Sequence, residues 1–251
     1  MKSEMTAING TSGEFMGCTP VDRPIWVEAL APVEWMALHL SSVYRGRGVP
    51  HGHGEPVVVV PGFMADDTYL RELHDWLSRV GYRSYYSGIG LNADCPERLT
   101  RRLVATVREI FEETGQKVTL VGHSLGGMLA RAAGQRAPAL VRRVVAIGSP
   151  ARAPRAHPMV LAAAELLRDR LVREGHIGPS GACACGSQPN EEAGAPVQAN
   201  AIYSRMDGIV DWRCCTEDDP RRNREVRSSH GGMVVNPDVY RALGELLAEA
   251  A

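Results

Sequence analysis

Several features that would place this chain in a specialised class are missing from its sequence. It contains no run of apolar residues approaching the roughly 18 needed to cross a bilayer. Its formal net charge of −1 at pH 7 provides no general field that would attract nucleic acid or an acidic membrane. Internal repeats and low-complexity tracts are absent as well. We therefore expect no transmembrane segment and no nucleic-acid partner.

The N-terminal residues also lack the apolar core of a secretory signal. Residues 1–18 are polar and rich in Gly, Ser and Thr, with one early lysine. We interpret residues 1–23 as a flexible arm and expect a cytoplasmic protein. Residues 24–251 are enough for one domain with a sizeable core, at a hydrophobic content of 44% for the whole chain.

Six cysteines leave the redox state of the chain open. Cys183 and Cys185 form one pair, and Cys214 and Cys215 form another, on either side of a predicted strand. This arrangement matches none of the usual zinc-ligand spacings, so no metal site is expected. Two alternatives remain. A disulfide between the pairs would pin a loop to the strand end and weaken the cytoplasmic interpretation; otherwise the thiols are free.

Hydrophobic periodicity predicts strands that alternate with helices. The β-branched run at 56–61 is typical of a strand buried on both faces. Further predicted strands lie at 82–87, 117–121, 141–147, 201–204 and 224–227, and predicted helices lie at 24–44, 68–80, 97–114 and 237–248, with another after residue 124. This alternation favours an α/β fold with a mostly parallel central sheet covered by helices on both faces.

Two segments lie outside this alternation. The first is the predicted helix at 24–44, whose apolar residues we expect to pack on the main domain; they are Trp26, Leu30, Val33, Met36 and Leu40. The second is an insertion at about 151–196, with one helical pattern followed by a stretch rich in Gly, Ser, Pro and Cys. Because long insertions between core strands are more often functional than idle, we interpret it as a cap or lid, with a surface ornament as the alternative.

The most informative motif is the pentapeptide Gly-His-Ser-Leu-Gly at 122–126, which separates a predicted strand from a helix with small residues. This order is that of the nucleophile elbow, a sharp turn that lifts one hydroxyl above the edge of a sheet. The strained serine backbone requires small neighbours, and Gly122 and Gly126 provide them. Ser124 is therefore the candidate nucleophile.

A serine nucleophile needs a base within hydrogen-bonding distance, and the base needs a third group to orient it. In elbow proteins the acid follows the serine in the chain and the histidine comes last. Of eight histidines, His230 alone lies late, in a loop between a predicted strand and the terminal helix, so it is the predicted base. His123, inside the elbow, is expected to point away from Ser124 and to serve in packing.

The acid has two candidates. Asp207 follows a predicted strand end and precedes Gly208, whose tight turn would aim the carboxylate inward, so it is favoured over Asp211. Each aspartate also fits a turn residue that caps its own backbone. The oxyanion hole is predicted from two backbone N–H groups. One belongs to Leu125, and the other belongs to Phe63, in the loop after the first core strand.

Together the Pro-Gly-Phe sequence at 61–63, the pentapeptide at 122–126, Asp207 and His230 resemble the α/β-hydrolase superfamily, with the greatest similarity to bacterial serine esterases and lipases. The resemblance covers roughly residues 55–248. It implies an α/β-hydrolase fold with a variable cap, and cleavage of carboxylic esters through an acyl-enzyme, with no metal and no organic cofactor.

The same resemblance also bears on the acid and on the substrate. The segment at 203–210 is similar to the acid-bearing segment of lipase-like members, which favours Asp207. The resemblance implies an ester, and the predicted lid indicates that this small-molecule substrate is lipophilic. Four residues are candidates for an apolar acyl pocket, although their spacing fits plain core equally well: Met64, Met128, Met159 and Leu161.

Two other functions use the same residues. An acyltransferase would pass the acyl group from the same acyl-enzyme to an alcohol or amine, and amide or thioester cleavage would need the same core groups. A non-catalytic ligand-binding module is less favoured, because all three catalytic positions are filled. No oligomeric state follows from the sequence.

Overall fold

The structure, a computed structural model, describes residues 19–152, 155–178 and 196–249. Its strands are β1 (Thr19–Pro20), β2 (Pro56–Val60), β3 (Arg83–Tyr86), β4 (Val118–His123), β5 (Val141–Ile147), β6 (Arg155–Ala156), β7 (Ala199–Ser204) and β8 (Asn223–Val226). Six of them form a central sheet in the order β3-β2-β4-β5-β7-β8, with every pairing parallel. The predicted parallel sheet is confirmed.

Helices connect these strands and cover both faces of the sheet. They are α1 (Ala31–Leu40), α2 (Arg71–Arg79), α3 (Pro96–Thr114), α4 (Leu125–Arg136), α5 (Pro158–Arg173) and α6 (Pro237–Ala248). The longest, α3, ends at Gly115, which adopts the left-handed conformation common after a helix (φ 65°). Within the three described ranges, no helix is long and apolar enough to cross a membrane.

The strand β2 shows why the sheet is buried on both faces. Val57 and Val59 point to the core that includes Trp76 of α2 and residues of α6. Val58 and Val60 point to the opposite core, which is formed with α3 and α4. Full burial of one valine side chain is worth about 1.5–3 kcal/mol. An uninterrupted valine run is thus stable only in the interior of the sheet. There β2 is paired with a strand on each side, β3 and β4.

The N-terminal helix is oriented differently from the prediction. It begins as a 3₁₀ segment, Ile25–Leu30, and continues as α1. Leu38 packs in the core and Val27 is buried, but four of the five apolar residues predicted to face the domain are largely exposed: 73% for Trp26, 61% for Val33, 57% for Met36 and 72% for Leu40. The helix therefore packs on the domain, as predicted, but through a different face. On that side the carboxylates of Glu28 and Glu34 also accept hydrogen bonds from backbone amides of distant loops.

The end of the predicted arm is attached to the domain rather than loose. Thr19–Pro20 pairs in parallel with Arg155–Ala156. The guanidinium of Arg23 donates hydrogen bonds to the carbonyl oxygens of Asp207, at 3.0 Å, and of Arg205, at 2.9 Å. Residues 1–18 of the arm lie outside the described residues.

The predicted insertion at 151–196 is described in part. It contains β6 and α5, and Leu171 of α5 packs with Ile177 against Cys95 at the start of α3. Residues 179–195, with Cys183 and Cys185, lie outside the described ranges. The role of this segment as a lid stays a prediction.

The structure decides the state of the other cysteine pair. Cys214 and Cys215 are free, buried thiols, so the hypothesis of a disulfide from this pair to Cys183 or Cys185 was wrong. The two residues follow Asp211 in a tight turn, and the Cys214 thiol donates to the Asp211 carbonyl oxygen at 2.9 Å. Cys95, which belongs to neither pair, is disulfide-bonded.

Candidate active site

The predicted catalytic side chains meet at the carboxyl edge of the central sheet. Ser124 directly follows β4, Asp207 follows β7, and His230 lies in the loop after β8. The imidazole of His230 bridges the other two, with Nε2 at 3.0 Å from Ser124 Oγ and Nδ1 at 2.7 Å from Asp207 Oδ2. Because carboxyl ends of parallel strands share one edge, residues more than 100 positions apart in sequence form one hydrogen-bonded chain.

The backbone of Ser124 is strained, as expected for an elbow. Its φ is 52° and its ψ is −125°, and the amide donates to the carbonyl oxygen of Ile147 on β5 at 2.9 Å. A Cβ at Gly122 would collide with the backbone of Gly126, and a Cβ at Gly126 would collide with the carbonyl oxygens of Val60 and Pro61. Close approach of β2, β4 and α4 therefore excludes larger residues on either side of the serine.

The acid is held in one orientation by the backbone that follows it. Asp207 is buried, and its Oδ1 accepts hydrogen bonds from the amides of Ile209, at 2.8 Å, and Val210, at 2.7 Å. The other oxygen, Oδ2, is left for His230. An ionised carboxylate only accepts hydrogen bonds, so Nδ1 of His230 carries the proton and Nε2 is free to accept from the Ser124 hydroxyl.

Opposing effects act on the pKa of His230. Burial lowers it, but the charge of Asp207, the hydrogen bond to Asp207 and the charge of Glu28 outweigh burial, so that the pKa is raised above the ordinary 6.5. The imidazole is therefore a stronger base than a free histidine. An imidazolium formed during a reaction would be stabilised by the same two carboxylates.

Asp211, the alternative acid, has different partners. Its Oδ1 accepts from the Arg213 amide at 3.1 Å, and its Oδ2 lies 3.5 Å from Nε of Arg155. It caps the short turn that contains the two free cysteines and does not hydrogen-bond to His230. The structure thus assigns Asp211 to the turn and brings Asp207 to the histidine.

His123 contributes more than the packing predicted for it. The ring is buried, and its Nε2 donates to the carbonyl oxygen of His230 at 3.0 Å. Its Nδ1 has no hydrogen-bond partner among the described residues. Burial, followed by repulsion from His230, lowers the pKa of His123 to about 3. The ring therefore stays neutral and acts as a fixed donor to the backbone of His230.

The loop carrying the predicted oxyanion donor Phe63 is also strained and braced. Among the described residues, Met64 and Ser124 are the non-glycine residues with positive φ, 60° and 52°. The buried Asn92 holds the loop in place from both of its polar ends. Its side-chain Nδ2 donates to the carbonyl oxygen of Pro61 at 2.8 Å, and its backbone carbonyl oxygen accepts from the Met64 amide at 2.9 Å. Backbone strain at two adjacent loops is typical of sites where structure is held for function.

The second predicted oxyanion donor, Leu125, is the first residue of α4. Its N–H belongs to the first turn of the helix and so has no acceptor within the helix. The partial positive charge of the helix N-terminus adds to the attraction for an anion at this point. Leu125 therefore meets the electrostatic requirement of an oxyanion donor next to Ser124.

Sequence reasoning missed the side chains that hold the loops of the candidate active site. Asn92 is one, and Glu28 and Glu34 of the N-terminal segment are the others. A carboxylate in an amphipathic pattern ordinarily indicates a solvent-facing position, and an asparagine in a loop ordinarily indicates a turn. Their partners are backbone groups far away in the chain, so no local pattern in the sequence could have identified them.

A cleft of about 550 Å³ lies beside the strained loop. Met64 contributes to one side of it, and α3 and α5 contribute to the others. Its apolar lining residues are Met64, Leu91, Ala93, Leu166, Leu167 and Leu171. An equal number of lining residues is charged or titratable: Asp94, Arg98, Arg102, Arg170, Glu174 and His176. Of the four residues proposed for an acyl pocket, Met64 alone lines this cleft. In the described ranges no group of three or more His, Cys, Asp or Glu side chains is arranged to hold a metal ion.

Comparison with known proteins agrees with this architecture. The family described as the alpha/beta hydrolase fold matches residues 100–177. A triacylglycerol lipase of Pseudarthrobacter phenanthrenivorans is 32% identical over 106 residues, which are 39% of this chain and 33% of the lipase. A triacylglycerol lipase of Vibrio cholerae is 33% identical over 126 residues, 45% of this chain and 40% of the lipase. The chain thus spans between a third and two fifths of these two relatives.

Similarity to solved structures extends over more of the chain. The mature form of a Bacillus licheniformis lipase superposes with a TM-score of 0.54 at 16% identity, covering 80% of this chain and 94% of the lipase. At that identity the likeness concerns the fold. The parallel sheet, the elbow between β4 and α4, and these comparisons lead to one conclusion: the chain has an α/β-hydrolase fold and is similar to lipases and esterases.

Proposed function

We propose that this protein is a serine hydrolase that cleaves carboxylic esters through an acyl-enzyme on Ser124. The observation that carries the proposal is the bridging position of His230, 3.0 Å from the serine hydroxyl and 2.7 Å from the Asp207 carboxylate. In the first step Nε2 of His230 takes the hydroxyl proton while Oγ of Ser124 attacks the ester carbonyl. Asp207 orients the ring and stabilises its charged form.

The oxyanion formed by this attack would be held by the amides of Phe63 and Leu125. One such donor is worth about 3 kcal/mol of barrier. Collapse of the intermediate expels the alcohol, which receives the proton from His230. A water molecule, deprotonated by the same Nε2, then attacks the acyl-enzyme and releases the carboxylic acid, which regenerates the Ser124 hydroxyl. The atoms balance without any cofactor.

We further propose that the ester is lipophilic. The cleft beside Met64 has an apolar part, formed by the loop at 91–93 and by leucines of α5, which would suit an acyl or alkyl chain. Charged side chains of α3 and α5 line the rest of it. The relatives named triacylglycerol lipases support the same substrate class. A cavity of similar size, about 510 Å³, is lined by Lys117, Arg142 and other charged residues at the amino edge of the sheet, away from Ser124.

The test is turnover of 4-nitrophenyl esters of graded chain length, from acetate to laurate, by the wild-type chain and by Ser124→Ala. We expect measurable hydrolysis with a preference for medium or long acyl chains. The serine variant should lose roughly 10⁴-fold or more in kcat. Full turnover by Ser124→Ala would overturn the mechanism. A preference for acetate would overturn the lipophilic substrate while leaving the mechanism in place.

A further inference from the structure

Glu28 places one carboxylate between the two loops that carry the proposed acid and base. Its Oε1 accepts hydrogen bonds from the amides of Gly208, at 3.0 Å, and His230, at 2.9 Å. Its Oε2 accepts from the amide of Gly231 at 2.8 Å. Gly208 is the residue after Asp207. A single side chain therefore bonds to the backbone next to the acid and to the backbone of the base itself.

A second carboxylate on the same N-terminal segment holds the neighbouring part of the base loop. Glu34 accepts from the Ser229 amide at 3.0 Å, from the Ser229 hydroxyl at 2.6 Å and from Nδ2 of Asn236 at 3.2 Å. It makes none of these bonds to His230 or to the loop of the acid. The two carboxylates thus differ in what they hold, although both hold the loop after β8.

Both polar groups of the His230 peptide are bonded by side chains from other elements. The N–H donates to Glu28, and the carbonyl oxygen accepts from Nε2 of His123 at 3.0 Å. Hydrogen bonds to a charged carboxylate are roughly twice as strong as those between neutral groups. A shift of this loop would therefore break charge-assisted bonds on one side and separate Nε2 from the Ser124 hydroxyl on the other.

We propose that Glu28 is a positioning residue that fixes the loops of Asp207 and His230 relative to each other. The inference rests on the proposed function, since it is the serine reaction that requires this alignment. Glu28 touches no reacting atom and takes no proton. Its effect is to keep the imidazole of His230 within hydrogen-bonding distance of both partners, and an error of about 1 Å in such a geometry can cost roughly 100-fold in rate.

The charge of Glu28 provides a readout that a purely structural residue would lack. The groups that face His230 are Asp207 from the loop after β7, Ser124 and the neutral His123 from the elbow, and Glu28 from the N-terminal segment. Burial lowers the pKa of His230, Asp207 raises it, and Glu28 raises it further. Removal of the Glu28 charge should therefore lower the pKa of His230.

A further titratable group near Glu28 is the hydroxyl of Tyr69. The Tyr69 hydroxyl donates to the carbonyl oxygen of Gly231 at 3.3 Å, and burial together with the charge of Glu28 raises the pKa of Tyr69 to about 12. Tyr69 is thus uncharged throughout the range in which His230 titrates. A change in the His230 titration after substitution of Glu28 can be assigned to the lost carboxylate.

The experiment compares Glu28→Gln with the matched control Glu34→Gln. For each variant we would measure the titration of His230 by histidine NMR, kcat and KM for a 4-nitrophenyl ester, and Tm. Glu28→Gln should show a lower His230 pKa and a kcat reduced roughly 10- to 100-fold, with KM little changed. Glu34→Gln should lower Tm while its His230 titration stays at the wild-type value.

The proposal would be overturned if Glu28→Gln kept the wild-type His230 pKa and kcat. It would also be overturned if Glu28→Gln and Glu34→Gln changed the His230 pKa and kcat equally. If Glu28→Gln does not fold, Glu28→Asp decides the question, because it keeps the charge but is shorter by one methylene group. A folded Glu28→Asp chain with reduced kcat supports the proposal, and one with wild-type kcat overturns it. The NMR titration needs no turnover, so a wild-type chain without esterase activity would refute the proposed function and still leave Glu28 tested.

Discussion

Asp207 and His230 are joined by a 2.7 Å hydrogen bond from Nδ1 to Oδ2, while the second oxygen of Asp207 is occupied by the amides of Ile209 and Val210. The carboxylate thus faces the histidine in a single orientation. Four residues further along, Asp211 is equally buried but is used by its own turn. Two buried aspartates only four positions apart therefore have different partners.

Because their partners differ, replacing each aspartate by asparagine should have a different effect. Asp207→Asn should keep the fold but favour the wrong tautomer of His230, so kcat for ester hydrolysis should fall by roughly 10³- to 10⁴-fold. Asp211→Asn should leave kcat within a few fold and lower the unfolding free energy by about 1 kcal/mol, because the ion pairs with the partly exposed Arg155 and Arg213 are lost. A larger loss of kcat in Asp211→Asn would show that the acid has been assigned to the wrong residue.

The raised pKa of His230 predicts the pH dependence of activity. The ring must be neutral to accept the serine proton, so kcat/KM should fall as the pH drops through this pKa. The midpoint of that acid limb should lie above the ordinary 6.5, because Asp207 and Glu28 outweigh burial. A pH profile of kcat/KM between pH 4 and 9 measures it.

Asp207→Asn is the control for this profile, since it removes the largest effect that raises the pKa of His230. Its acid limb should move to lower pH, even though the remaining rate is small. A wild-type midpoint well below 6.5 would mean that burial of His230 outweighs the charges of Asp207 and Glu28.

The space available for a side chain differs between two glycines of α4, so their substitution by alanine should have different outcomes. In Gly126→Ala the new methyl group would collide with the carbonyl oxygens of Val60 and Pro61, so unfolding free energy should fall by about 1–3 kcal/mol and activity should be lost. In Gly134→Ala the methyl group would lie 3.4 Å from Val144, an ordinary contact, and helix propensity should add up to about 1 kcal/mol. Equal Tm values for the two variants would contradict the close packing of α4 on β2.

Substitution of the buried His123, which lies outside the hydrogen-bonded chain of Ser124, His230 and Asp207, should reduce activity. His123→Phe removes the donor to the His230 carbonyl oxygen, which would keep a longer contact, 3.3 Å, from the Met233 amide. Stability should fall by about 1–2 kcal/mol and kcat by roughly tenfold. Chemical denaturation and ester turnover measure the two effects. An unchanged kcat would show that the backbone of His230 is held without His123.

Local backbone geometry explains which parts of this architecture could be predicted from the sequence. A valine run such as 57–60 can be stable only inside a sheet, and the glycines around Ser124 match a turn that tolerates nothing larger. Chain order then pointed to His230, because a single histidine follows the later strands. Each of these signals lies within a few residues of the feature it predicts.

The orientation of α1 could not be predicted in the same way. Counting apolar residues placed Trp26 and Leu40 against the core, whereas both are exposed. What orients the segment is a set of hydrogen bonds that Glu28 and Glu34 accept from backbone amides about 200 positions away. Hydrogen-bond partners at that separation leave no periodic trace in the sequence. The choice between Asp207 and Asp211 depended on long-range contacts for the same reason.

The central claim is that His230 activates Ser124 as a nucleophile, and covalent labelling tests it most directly. The wild-type chain, Ser124→Ala and His230→Ala would be incubated with an alkyl fluorophosphonate and examined by intact-protein and peptide mass spectrometry. We expect stoichiometric labelling of the wild-type chain on the peptide containing Ser124, with no label on Ser124→Ala and greatly slowed labelling of His230→Ala. A wild-type chain that stays unlabelled, or carries the label on another residue, would contradict the account.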